Sequence, residues 1–116
     1  MKQELDEIII NALESVKGID IVSLDVTDLT DVMDTMVVVS GNTSRQVKAL
    51  ANAVVEDCKK AGFRPLGVEG MESGEWVLVD CGDTVVHVMQ PETRLFYDLE
   101  KLWSMRPGDF TQRERE

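Results

Sequence analysis

An α/β sandwich around a mixed sheet of about five strands is the fold class this sequence predicts, and three observations carry it. Two segments, residues 2–17 and the stretch after residue 44, repeat apolar side chains at helical spacing. Between and after them lie short runs of β-branched residues bounded by Gly, Asn, Asp or Pro. One run, Thr35-Met36-Val37-Val38-Val39-Ser40, is apolar nearly throughout, as expected of a strand covered on both faces. The predicted order is helix–strand–strand–helix–strand–strand–strand–helix, which layers helices against a sheet.

The first helix carries Leu5, Ile8, Ile9, Ala12, Leu13 and Val16 on one stripe, with Gly18 as its stop. Residues 20–26 read as a strand with Ile21, Val22, Leu24 and Val26 as its apolar positions. The acidic segment 27–34 reads as a loop. Gly41-Asn42-Thr43-Ser44 supplies turn and cap residues for a helix striped by Val47, Leu50, Ala51, Val54, Val55 and Cys58 and ended by Ala61-Gly62. Residues 64–69 form a short, weaker strand, and residues 70–75 an acidic connecting loop. The last helix starts near Pro91, with Glu92 suited to the positive end of its dipole. At about 100° per residue, Leu95, Phe96, Leu99, Leu102 and Trp103 share an arc and Tyr97 lies opposite, near Arg94 and Lys101. Residues 1–105 thus make one domain, and the polar residues 106–116 a frayed tail.

Before that last helix, two apolar runs flank Gly82-Asp83, the mark of a hairpin closed by a two-residue turn. Pairing Cys81 with Thr84 sets Asp80 opposite Val85, Leu78 opposite His87 and Trp76 opposite Met89. Side chains alternate across a strand, so the hairpin has two unlike faces. Val77, Val79, Cys81, Val86 and Val88 form ordinary core. Trp76, Leu78, Asp80, Val85, His87 and Met89 form apolar bulk interrupted by an acid and an imidazole, a face that needs a cover. Either the last helix packs on it, or it is a patch for a protein partner. Glu69, Glu72, Glu75 and Asp80 give that patch an acidic rim suited to Lys and Arg.

Composition narrows the functional classes. The 116 residues carry 22 acids against 12 bases, a net charge of −10, which repels a phosphate backbone and favours a basic partner. Sequence-specific nucleic-acid binding is therefore not expected. Cys58 and Cys81 lack metal-ligand spacing and read as reduced core residues. No apolar run approaches the roughly 20 residues that span a bilayer, and acids interrupt the first apolar stretch, so a cytoplasmic protein is expected.

Catalytic readings meet simpler ones. The Gly41–Ser44 junction offers backbone N–H groups to a phosphate, yet a plain helix cap is the favoured explanation. Two-metal chemistry needs paired carboxylates. The strand that should supply them offers Asp80 alone, with Asp83 already in the turn. His87 shares a face with Asp80 without opposing it, and Cys81 points away, so no nucleophile–base pair forms. Asp28, Asp31 and Asp34 lack the Gly and terminal Glu of a Ca²⁺ loop. No catalytic residue, metal or cofactor is expected.

Gly74-Glu75-Trp76-Val77-Leu78-Val79-Asp80, Gly82-Asp83, Val86-His87-Val88 and the run from Arg94 to Trp103 together resemble the Iojap family, whose bacterial members are ribosomal silencing factors. The likeness extends to residues 20–26, 39–47 and 66–70, and so covers all but the tail. Thr35 departs from the pattern, because family members often carry an aromatic residue after the acid matched by Asp34. The resemblance implies a nucleotidyltransferase-like fold lacking its catalytic acids. It also implies binding to the large ribosomal subunit through the basic ribosomal protein uL-fourteen. That contact would block subunit joining and repress translation when nutrients are scarce. On this reading Trp76, Leu78 and Met89 are apolar anchors, Tyr97 adds an amphipathic contact, and Asp80 and Glu69 pair with bases on the partner. His87 orients Asp80 or meets the partner. The alternatives are a nucleotide-binding or nucleotidyltransferase-type enzyme using residues 41–44, and a homodimer that buries the hairpin face.

Overall fold

Along the chain run α1 (Lys2–Ser15), β1 (Ile19–Asp25), β2 (Thr35–Ser40), α2 (Ser44–Lys60), β3 (Gly67–Glu69), β4 (Trp76–Asp80), β5 (Thr84–Met89), α3 (Pro91–Tyr97) and α4 (Leu99–Ser104). The computed structural model describes residues 2–104, with side chains from residue 4 onward. The tail expected at residues 106–116 lies outside the described residues. The strands form one five-stranded sheet in the order β1-β2-β5-β4-β3. β2 and β5 run parallel, and every other neighbouring pair is antiparallel, so the sheet is mixed as expected.

One face of the sheet packs on α1 and α2. Val37 and Val39 of β2, Val77 and Val79 of β4, and Val86 and Val88 of β5 meet Leu5, Ile9, Leu13, Val47, Leu50 and Val54, and all are buried. Period-2 and period-3.6 stripes thus meet as the sequence predicts. Cys58 and Cys81 sit in this layer as free thiols. Their mutual hydrogen bond and burial push the Cys81 thiol up, which keeps it protonated and inert. Asp6 fastens α1 across the sheet, since its carboxylate accepts from the buried hydroxyls of Thr35 and Thr84. Thr35, which departs from the family pattern, therefore carries a structural bond to the first helix.

Three boundaries differ from expectation. α1 ends at Ser15, two residues short of the expected span, and Lys17 beyond it is left-handed at φ 60°, while the Gly18 N–H reaches back to the Leu13 carbonyl at 2.8 Å. β3 keeps only three residues, because Pro65 cannot donate to the ladder and pairing starts beyond it.

The last helix differs most. Asp98 adopts φ 48° and ψ 54°, and the helix breaks there into α3 and α4. Arg94 holds the break: its Nε and Nη2 donate to the Glu100 carboxylate at 2.7 and 3.0 Å, and Nη1 donates to Ser40 Oγ at 2.9 Å. The single arc of Leu95, Phe96, Leu99, Leu102 and Trp103 is therefore divided. Leu99 and Trp103 pack under the sheet, whereas Leu95 and Phe96 are 82% and 80% exposed.

Candidate protein-binding site

The site grows from the sheet's second face, whose register is the one the hairpin predicts. Trp76 pairs with Met89, Leu78 with His87 and Asp80 with Val85. The turn is closed by Cys81 N donating to the Thr84 carbonyl at 2.9 Å, with Gly82 at φ +89°, where L side chains are strained. Extending the pairing gives a row Glu69, Leu78, His87, Val38, Val22 across all five strands.

This face is covered over only part of its extent. Over β1 and β2, Leu99 and Trp103 cover Val26, Met33, Met36, Val38 and Met89, which form a second buried cluster. Over β4 and β3, Trp76, Leu78 and Asp80 stay half-buried beside exposed Glu69, with Tyr97 of α3 against Trp76. The expected cover by the last helix is thus found over one part of the face, and the other part stays accessible.

The open half is organised around Trp76. Its indole Nε1 donates to His87 Nδ1 at 3.0 Å. Tyr97 packs against it with ring centroids 4.8 Å apart, and Phe96 meets Tyr97 edge-on at 5.0 Å. Three aromatic residues from β4 and α3 thus form a run that surfaces at Phe96 and at Tyr97, which is 52% exposed. The walls are tied together, since Gln90 N donates to the Glu75 carbonyl at 2.9 Å and Gln90 Nε2 to the Gly74 carbonyl at 3.1 Å. Gly70 lets the connecting loop cross β4: a Cβ there would stand 2.1 Å from the Trp76 carbonyl oxygen.

Clefts open on both sides of the indole. One, of about 430 Å³, is lined by Ser73, Glu75, Trp76, Glu92, Thr93, Phe96 and Tyr97. The other, of about 280 Å³, is lined by Glu69, Gly70, Trp76 and Leu78. Acid beside exposed ring is a combination that favours cationic groups.

Among the expected site residues, Trp76, Leu78, Tyr97 and Glu69 come together here. Two are corrected. Met89 is fully buried beneath the second cluster and has no surface to offer a partner. His87 is 8% exposed and accepts from Trp76, so it orients the indole rather than Asp80. Burial between Leu78 and Val38 pushes its imidazole down to about 4, leaving it neutral. Asp80 turns one carboxylate oxygen inward to Gly82 N at 2.9 Å and presents only part of its side chain. Sequence reading missed Leu95, Phe96 and Glu92, because the break at Asp98 that exposes α3 has no periodic signature.

The Gly41–Ser44 junction is closed by its own side chains. Thr43 Oγ1 accepts from Gln46 N at 3.1 Å, and Gln46 Oε1 accepts from Asn42 N at 2.9 Å, a variant of the capping box that reaches one residue further back. Among the described residues no group of three or more His, Cys, Asp and Glu side chains could hold a metal ion, and no helix is long and apolar enough to cross a membrane.

The family model described as "Ribosomal silencing factor during starvation" matches residues 1–116. The chain belongs to the ribosomal silencing factor family. The Ribosomal silencing factor RsfS of Chromobacterium violaceum is 52% identical over 108 residues, covering 93% of this chain and 88% of that protein. The Haemophilus influenzae protein of the same name is 43% identical over 100 residues, covering 86% of this chain and 98% of that one. The crystal structure of a Chromobacterium violaceum protein, 53% identical, superposes with a TM-score of 0.87 over 90% of this chain and 88% of that one. This sequence therefore shares the overall fold of that structure.

Proposed function

We propose that this protein silences translation by binding the large ribosomal subunit through the basic ribosomal protein uL-fourteen and blocking its union with the small subunit. The observation that carries the reading is the open half of the sheet's second face. There an aromatic run anchored by Trp76 is rimmed by Glu69, Glu75 and Glu92 in a molecule of net charge −10. Family membership and the names of its relatives support a ribosomal target. The mechanism is steric: a domain seated on the joining surface occupies space the small subunit needs, and no chemical step is required. The negative field steers the domain to a basic protein, and the aromatic anchors slow its release. Such a protein acts in the cytoplasm, without cofactor or catalysis, and without reading a nucleic-acid sequence.

Sucrose-gradient profiling of purified subunits tests the reading. The protein should co-sediment with large subunits and suppress joined ribosomes. A Glu69→Lys, Tyr97→Ala double variant, altered only at exposed positions, should lose about 2 kcal/mol or more of binding, roughly thirtyfold. Full subunit joining in the presence of saturating wild-type protein would overturn it.

A further inference from the structure

We infer that the larger cleft, between Trp76 and α3, is a pocket for the guanidinium side chain of an arginine presented by the protein partner. The identity of that partner rests on the reading above; the chemistry of the pocket rests on its own residues. Three aromatic residues line or wall it, Trp76, Phe96 and Tyr97, and two carboxylates, Glu75 and Glu92, reach it from opposite walls. Neither acid has an ion-pair partner among the described residues, since Arg94, the nearby base, is spent on Glu100. A cleft that unites π faces with uncompensated carboxylates suits a planar, weakly hydrated cation that stacks and donates in the same plane. A lysine ammonium, compact and strongly hydrated, uses the acids but little of the aromatic surface. An anion is repelled, and an apolar side chain leaves both carboxylates to be desolvated without return.

The cleft is also built to stay open. The indole is fixed at one end by its bond to His87 and at the other by Tyr97. The Gln90 bonds to residues 74 and 75 hold the two walls at a set distance. Ordering costs on binding are therefore small for the protein side.

The test uses the full chain, isotopically labelled, with a capped Gly-Arg-Gly-Arg-Gly peptide as probe, followed through the Trp76 indole resonance. The expected result is a saturable shift of that resonance, stronger than with the lysine peptide and absent with the citrulline peptide, which keeps the shape and loses the charge. Glu92→Gln and Phe96→Ala, both at exposed positions, should each weaken peptide binding fivefold or more, a factor of the size a lost charged or aromatic contact gives. Equal response to citrulline, or undiminished binding by both variants, overturns the pocket. Wild-type co-sedimentation with large subunits, run in parallel, separates the two ideas. If subunits bind while the peptide shows no specific shift, the pocket is wrong and the silencing reading stands. If the peptide binds through Glu92 and Phe96 while subunits do not, the pocket stands and its assignment to a ribosomal partner falls.

Discussion

The imidazole of His87 accepts a hydrogen bond from the Trp76 indole, and it can do so only while its Nδ1 is unprotonated. Its position on the five-strand row, between Leu78 and Val38, strips it of water and lowers it from 6.5 to about 4. In that window the unfolded chain binds a proton that the folded chain refuses. Stability contributed by neutral His87 is thus fully present above pH 6.5 and is lost as pH falls toward 4, by about 3 kcal/mol in all. Urea titrations across this range, compared with those of His87→Gln, should show the wild-type protein losing more, because glutamine keeps an acceptor without titrating. Equal pH dependence in the two proteins would contradict the assignment. The Trp76–His87 bond was geometrically legible, for the predicted register already placed the two on a cross-strand diagonal that an indole spans. What was not legible was its consequence, that His87 serves Trp76 and leaves Asp80 to the turn.

At the scale of elements, each junction is fixed by a few polar bonds. Lys17 pays no packing role in its left-handed turn, so Lys17→Gly should relieve the strain and stabilise the protein by about 0.5–1 kcal/mol, read by urea midpoint. Asp6→Ala should act in the opposite direction. It leaves the hydroxyls of Thr35 and Thr84 buried without their acceptor, at a cost of about 2–4 kcal/mol. The break at Asp98 depends on Arg94, whose hydrogen bonds hold the Glu100 carboxyl below its ordinary range. Arg94→Ala should free α4, expose Trp103 and shift tryptophan emission to longer wavelength. Strands and the first two helices were legible because burial on a sheet face or a helix stripe writes a period into the sequence. The break was not, because it is specified by one arginine fork reaching back to Ser40, a contact distant in sequence and without period.

For the molecule as a whole, charge and topology act together. The field of ten net negative charges is long-ranged and suited to aim the domain, whereas the contact proposed above spans only the open half of one sheet face. Raising salt should therefore slow association with large subunits, by about tenfold between roughly 0.05 and 0.3 M, while leaving dissociation nearly unchanged. Stopped-flow or surface-resonance kinetics would register this. A salt effect confined to the off-rate would argue against steering. The need for a cover on the second face was legible from the mixed hairpin face. The answer, half to the chain's own end and half left open, required the three-dimensional path of α3 and α4.

The break at Asp98 also partitions the burden of heredity. Substitutions just before it, at Leu95, Phe96 or Tyr97, fall on exposed side chains and leave the core untouched, whereas those just after it, at Leu99 or Trp103, disturb the buried cluster. One left-handed residue thus makes neighbouring positions in a single stretch of sequence free to drift under separate constraints, one set on the surface and the other tied to whether the protein folds.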